Sequence, residues 1–133
     1  MSTELHSMAM ILIVEEVQEL REGIKDLLTA DGYRIVTAQD EDEAVDMARR
    51  EHPDLILVCL GEAPCDTITS AAAGIRKRAE LSDKVPVVVF CIGAIGEGEE
   101  VAYANQVYVI SPDNFNHLRR FLKRLLAALP VAS

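Results

Sequence analysis

The stretch Met10-Ile-Leu-Ile-Val-Glu-Glu16 joins five consecutive apolar residues to two carboxylates, and it decides the fold. An apolar run of this length, rich in β-branched residues, is typical of a strand buried on both faces of a parallel sheet. Open α/β sheets bind their ligands just beyond the carboxyl ends of the strands. We therefore expect an α/β domain whose chemistry lies at one edge of the sheet, next to Glu15 and Glu16.

Strand-like and helix-like segments alternate along the rest of the chain. Four further apolar runs predict strands at Tyr33–Thr37, Leu55–Leu60, Val87–Cys91 and Val107–Ile110. Apolar spacing predicts three helices, over 17–28, over Thr67–Leu81 and around Glu99–Ala104. Capping residues predict two more helices. One runs from an Asp40 cap to a stop at His52-Pro53, and the other runs from an Asp113 or Asn114 cap to Leu126. Five strands alternating with five helices predict a doubly wound parallel sheet with helices on both faces.

The composition predicts one acidic globular domain. Half of the 133 residues are apolar, and a second core would leave each half too small to be stable. The net charge of -9 repels phosphate backbones, so we expect no nucleic-acid partner. We assign residues 1–9 to an N-terminal extension, 10–128 to the domain and 129–133 to a tail, and expect no output domain.

Targeting signals and disulfides are not expected from this sequence. The apolar run Met8–Val14 is too short to cross a membrane and is not preceded by a basic segment. Three cysteines are an odd number in a chain large enough to fold without disulfides, which favours reduced thiols. We therefore expect a cytoplasmic protein that does not bind membranes.

Several spaced motifs in this chain resemble the receiver domain of two-component response regulators. They are Ile11-Leu-Ile-Val-Glu-Glu16, Leu27-Leu28 with Asp31-Gly-Tyr33, Glu43-Ala44, Pro53-Asp-Leu-Ile-Leu57, Pro86-Val-Val-Val89 and Ser111-Pro112. The resemblance runs from about Met10 to about Leu126. It implies a flavodoxin-like, CheY-like fold with five parallel strands in the order 2-1-3-4-5.

The resemblance also assigns the positions of a phosphorylation pocket. Glu15 and Glu16 match the family's acidic pair, which helps to hold Mg²⁺. Cys59 matches the aspartate that accepts the phosphoryl group, and Cys91 matches the Thr or Ser that binds its oxygens. Ser111, followed by the retained Pro112, replaces the family's lysine. Tyr108 matches the switch aromatic.

These replacements change the chemistry of the predicted pocket. A thiol is a softer ligand than a carboxylate and suits Mg²⁺ poorly, and the loss of the lysine removes the counter-charge. We therefore predict a degenerate receiver, or pseudo-receiver, that does not accept phosphate by the family route and is not an enzyme. We expect no cofactor, and only Glu15 and Glu16 are candidates for weak metal binding.

The remaining role for such a scaffold is protein interaction. Receivers signal through a face made of the fourth helix, fifth strand and fifth helix, which here would contain Tyr103, Tyr108, Arg119 and Lys123. We expect a protein partner, such as a histidine kinase or another signalling protein, or a homodimer through this face. Arg119, Arg120, Lys123 and Arg124 place a basic cluster on an otherwise acidic domain. This cluster is either a specific surface for an acidic partner or a solvated helix face whose cations complement the helix dipole.

Two other functions stay open at this point. One is a thiol redox sensor or a Zn²⁺ sensor that uses Cys59, Cys91 and Cys65, although buried free cysteines often serve only as small apolar residues. The other is a receiver phosphorylated at a non-standard carboxylate, Asp66 or Asp54, although Asp54 is predicted at the opposite end of the sheet.

Overall fold

The computed structural model describes residues 9–59, 65–90, 100–103, 106–111 and 115–127. Within these ranges one sheet contains β1 (Met10–Val14), β2 (Arg34–Ala38), β3 (Leu55–Val58), β4 (Val87–Phe90), β5 (Glu100–Tyr103) and β6 (Val107–Ile110). The helices in the same ranges are α1 (Gln18–Ala30), α2 (Glu41–Glu51), α3 (Cys65–Arg78) and α4 (Phe115–Ala127).

The strand order is β2-β1-β3-β4-β6-β5. The first five strands of this order are parallel, and β5 runs antiparallel to β6 at the edge. The predicted fifth strand, Val107–Ile110, is β6 and lies beside β4 as expected. The flavodoxin-like order is therefore confirmed, with one antiparallel strand added.

The two faces of the sheet carry separate apolar clusters. Because side chains alternate along a strand, Ile11 and Ile13 face one side of β1 while Leu12 and Val14 face the other. Ile11 and Ile13 pack in a cluster with residues of α1 and α4. Leu12 and Val14 pack in a cluster with residues of α2 and α3. This two-sided burial explains why the central strands are apolar at every position.

The helix between β2 and β3 begins and ends where the sequence predicts. Asp40 is its N-cap, and its Oδ1 accepts a hydrogen bond from the backbone N–H of Glu43 at 2.8 Å. His52 ends the helix in the left-handed region at φ 50°, directly before Pro53. These ends fix the direction in which the chain enters β3.

The predicted helix around Glu99–Ala104 is wrong for the residues the structure describes. Glu100–Tyr103 is the edge strand β5, paired with β6 from Glu100↔Ile110 to Tyr103↔Val107. Val101 is β-branched and favours a strand, and Gln106, directly before β6, lies in the left-handed region at φ 61°. The antiparallel pairing therefore outweighs the helical spacing of this short segment.

Some predictions fall on residues outside the described ranges. These are the first eight residues, the predicted strand ends Leu60 and Cys91, the Asp113 or Asn114 cap and the tail 129–133. In the part of the chain that the structure describes, no helix is both long and apolar enough to span a lipid bilayer.

Candidate functional site

Glu15 and Cys59 lie side by side at the carboxyl edge of the sheet. Val14 pairs with Val58 in the parallel register, so the residues that follow them are at the same level. The backbone N–H of Cys59 donates to the carbonyl O of Val14 at 2.8 Å, and that of Glu15 donates to the carbonyl O of Ala38 at 3.0 Å. The structure thus brings together two of the predicted pocket residues.

The acidic pair is divided between the interior and the solvent. Glu15 is 4% exposed, whereas Glu16 is exposed. Oε2 of Glu15 accepts a hydrogen bond from the backbone N–H of Val17 at 3.1 Å. Burial raises the pKa of Glu15, and the charge of Glu16 acts in the same direction, while backbone hydrogen bonds and Arg21 oppose the rise. One carboxylate oxygen of Glu15 therefore already has a hydrogen-bond partner within the fold.

Cys59 has the properties of a core residue. It is 6% exposed and packs in the same cluster as Ile13, Leu57 and Ile110. Burial raises the pKa of its thiol far above the ordinary value, and the negative charge of Glu15 raises it further. The thiol is therefore neutral at physiological pH, which makes it a poor nucleophile and a poor ligand for a hard cation.

Ser111 follows β6 and is 4% exposed. A buried neutral hydroxyl stands where the resemblance places a lysine, so this position contributes no positive charge to the pocket. Cys91 and Pro112 lie outside the described residues, as does the side chain of Cys65.

Arg21 is a contributor that sequence reasoning missed. Its Nη1 donates to the carbonyl O of Glu15 at 2.8 Å and lies 3.5 Å from the carbonyl O of Glu16. The signal in the sequence is a cation in the first turns of α1, directly after the acidic pair. Arg21 binds the backbone of the β1–α1 loop, so it holds the loop and does not replace a lysine at the end of β6.

The described donors at this edge fit Mg²⁺ poorly. Magnesium requires near-octahedral coordination by oxygen ligands, which receivers supply with carboxylates. Among the described residues, no group of three His, Cys, Asp or Glu side chains is placed to hold a metal ion. Cys59 offers a neutral sulfur, and Glu15 already accepts a backbone N–H.

Tyr108, the predicted switch aromatic, packs against α4. Its ring makes an edge-to-face contact with Phe121, with centroids 5.8 Å apart and planes at 78°. Its hydroxyl donates to Oε1 of Gln106. The guanidinium of Arg124 lies over the other aromatic ring, 5.3 Å from the centroid of Phe121. The side chain of Tyr103 is outside the described part of the chain.

Glu100 connects the edge strand to α4. Its carboxylate lies 2.8 Å from Nε2 of His117 and accepts from Nη2 of Arg124 at 2.7 Å. Burial alone would raise the pKa of Glu100, but the hydrogen bonds and positive charges of these two residues outweigh burial and lower the pKa. This ion pair attaches β5 to the helix at the face where the resemblance predicts partner contacts.

The four predicted cations of α4 do not form one uniform surface. Arg119 pairs with Asp31, with Nε donating to Oδ2 at 2.7 Å, and Arg124 pairs with Glu100. Arg120 and Lys123 make no ion pair within the described ranges. The structure therefore divides the cluster into two engaged cations and two available ones.

The fold and this edge define a receiver-like α/β domain, and the comparisons with known proteins identify the family. Residues 11–91 match the model of the response regulator receiver domain. The chain belongs to this family, whose members act in two-component signalling.

Two longer proteins are similar in sequence to this chain over part of their length. A protein-glutamate methylesterase/protein-glutamine glutaminase of Anaeromyxobacter dehalogenans is 35% identical over 92 residues, covering 69% of this chain and 25% of that protein. The phosphate regulon transcriptional regulatory protein PhoB of Escherichia coli is 33% identical over 95 residues, covering 68% of this chain and 38% of PhoB. The chain thus spans about a quarter to two fifths of these relatives.

Solved structures agree on the architecture. The response regulator TrrA of Thermotoga maritima, in complex with Mg²⁺-BeF, has a TM-score of 0.63 and 25% identity, covering 89% of this chain and 99% of TrrA. The receiver domain of a histidine kinase from Syntrophus aciditrophicus has a TM-score of 0.67 and 20% identity, covering 94% and 95% of the two chains.

Proposed function

We propose that this chain is a pseudo-receiver that works in two-component signalling as a protein-interaction module without being phosphorylated. The single observation that carries the proposal is Cys59. It follows β3 at the position that the resemblance matches to the phosphoryl acceptor, is 6% exposed, and has a thiol held neutral by burial and by Glu15. A neutral buried thiol provides neither the nucleophile nor the Mg²⁺ ligand that phosphoryl transfer in this family requires.

The buried Ser111 supports the same proposal. Phosphoryl transfer depends on positive groups that stabilise charge on the transferred oxygens. Ser111 supplies a buried hydroxyl at the position that the resemblance matches to the family's lysine, and Arg21 is occupied by the backbone carbonyls of the β1–α1 loop. We propose that the pocket lacks both the acceptor and the counter-charge, and that the chain catalyses no reaction of its own.

A non-standard acceptor is disfavoured by the position of Asp54. Its Oδ2 accepts a hydrogen bond from the backbone N–H of Met10 at 2.8 Å, at the amino end of β1. This is the opposite edge of the sheet from Glu15, and Asp54 serves there to join β1 to β3. The side chain of Asp66, the other candidate, lies outside the described residues.

A thiol sensor is disfavoured by the state of Cys59. Reactive and metal-binding cysteines are partly exposed and have a lowered pKa, whereas the pKa of Cys59 is raised and its side chain is buried. Cys59 is a free cysteine in the structure. We also propose that the chain is cytoplasmic and that its partner is a histidine kinase or another signalling protein. A homodimer through β5, β6 and α4 is part of the same proposal.

Phosphodonor labelling tests the proposal. The chain is incubated with acetyl phosphate and Mg²⁺, and the intact mass is measured. We expect no stoichiometric adduct on the wild type or on Cys59→Asp, because Ser111 still provides no cation. Cys59→Asp/Ser111→Lys restores both missing groups and is the matched gain-of-function variant, while Cys59→Ser controls for labelling of the thiol. A stoichiometric, Mg²⁺-dependent adduct on the wild type would overturn the proposal.

A further inference from the structure

A cleft with a positive lining lies between α4 and the turn that joins α1 to β2. Its volume is about 340 Å³, and it is lined by Asp31, Tyr33, Asn116, Arg119, Arg120 and Lys123. Three cations and one carboxylate line it, although the whole chain carries a net charge of -9. The cleft is away from the Tyr108 and Glu100 contacts, which lie on the β5 and β6 side of α4.

Hydrogen bonds fix three of the side chains that line the cleft. Both side-chain oxygens of Asp31 accept from the guanidinium of Arg119, and Nη1 of Arg119 donates to Oδ1 of Asn116 at 3.0 Å. Three of the five N–H groups of an arginine are thereby used, which leaves donors for a ligand. The neutral phenol of Tyr33, whose pKa is raised by burial and by Asp31, adds a further polar group.

The two cations of α4 that form no ion pair among the described residues lie next to each other on the helix surface. Arg120 and Lys123 are three residues apart, so they are neighbours on the surface of α4. From Asn116 to Lys123 the lining residues of α4 extend over roughly 10 Å, at about 1.5 Å per helical residue. An extended peptide covers this length with about three residues. The shape therefore suits a short peptide better than a compact anion.

We propose that this cleft binds a short acidic peptide segment of a signalling partner, which pairs its carboxylates with Arg120 and Lys123. The proposal rests on the proposed interaction function and names the site and the chemistry of the partner. Although the whole chain has a net charge of -9, three cations and one carboxylate line the cleft, so an acidic segment short enough to contact only the cleft meets a local excess of positive charge.

Fluorescence anisotropy with a labelled hexapeptide of alternating aspartate and glutamate tests this proposal on the full chain. We expect saturable binding that weakens as salt is added, because the contacts are between exposed charges. Arg120→Glu/Lys123→Glu should weaken binding by about tenfold or more. Lys77→Glu/Lys84→Glu changes the net charge equally at exposed positions of another part of the chain, and it should weaken binding about twofold or less.

Four results would overturn the proposal. The first three are the absence of saturable binding, equal weakening by the two charge-reversal variants, and binding of inorganic phosphate or citrate as tight as that of the hexapeptide. The fourth is dimerisation of the chain through the cleft, measured by light scattering. Amide NMR shifts around Tyr33 and Asn116 locate the bound peptide. Because phosphodonor labelling does not involve this cleft, failure here leaves the pseudo-receiver proposal to its own test.

Discussion

The interior of the sheet and its carboxyl edge retain the receiver pattern to different degrees. Ile11–Val14 and Leu55–Val58 are fully buried, apolar and paired in the parallel register of the family fold. One residue beyond each strand, Glu15 and Cys59 place a carboxylate and a neutral thiol at the positions that the resemblance matches to the family's acidic pair and acceptor aspartate. The stability of the sheet depends mainly on the apolar surface area that its central strands bury. Residues at the edge contribute little to that area, so they can differ among proteins that share the fold.

The largest expected effect is a difference in unfolding free energy between variants in the interior of β3 and variants at its carboxyl end. Leu57→Ala removes a fully buried side chain from β3 and should lower the free energy of unfolding by about 3 kcal/mol. Cys59→Ala, two residues further on and facing the same cluster, removes only a thiol and should cost about 1 kcal/mol. Urea unfolding of both variants measures the difference, and equal losses would mean that the edge contributes to the core as much as the interior.

The second effect tests whether the edge tolerates the family's own residue. Cys59→Asp places a second carboxylate beside the buried Glu15 and should cost about 2 kcal/mol at neutral pH. Cys59→Asn is the uncharged control of similar size. An aspartate there has a raised pKa when folded, so the cost relative to Cys59→Asn is absent below its ordinary pKa of about 3.9 and appears as the pH rises above that value. Equal stability of the two variants at pH 7 would contradict the account of the pocket.

A third variant tests the edge strand, where the structure departs from the predicted helix. Glu100→Gln weakens the attachment of β5 to His117 and Arg124 and should cost about 1 kcal/mol or less, since these groups are partly exposed. Hydrogen exchange of the β5 amides should speed up, and Glu51→Gln, on the exposed end of α2, should leave it unchanged. Because the folded pKa of Glu100 is lowered, this contribution is present above the ordinary carboxyl pKa and is lost as the pH falls through the folded value.

The smallest effect concerns Glu15, whose folded pKa is raised mainly by burial. A raised pKa means that the ionised carboxylate destabilises the fold, so Glu15 contributes most favourably below its unfolded pKa and less as the pH rises through the folded value. Glu15→Gln should therefore be more stable than the wild type at pH 7, by about 1 kcal/mol or less, because backbone hydrogen bonds and Arg21 offset part of the cost of burial. The gain should vanish near pH 4, and unfolding curves at both pH values check it; a gain that is the same at both would exclude burial of the charge as its cause.

The parallel sheet could be predicted from sequence because the apolar runs of β1, β3 and β4 have no other stable environment than burial on both faces. The α2 cap at Asp40 could be predicted because it depends on local chemistry. The strand β5 could not, since its four residues take their conformation from pairing with β6 rather than from their own spacing.

The candidate site could be predicted only in part from the sequence. The positions of Glu15 and Cys59 follow from strand ends, and the structure places them together. The separation of the α4 cations could not be predicted, because the partners of Arg119 and Arg124 are Asp31 and Glu100, which are distant in sequence. Arg21 was missed for a similar reason, since its partners are backbone carbonyls of a loop.

The most direct test of the central claim is an amide NMR titration of the chain with Mg²⁺ followed by beryllium fluoride, with TrrA of Thermotoga maritima as the positive control. We predict no saturable shifts at Glu15, Glu16, Cys59 or Ser111. Saturable shifts that spread from these residues to Tyr108 would show a pocket that still responds to a phosphoryl mimic, and they would contradict the assignment of a pseudo-receiver.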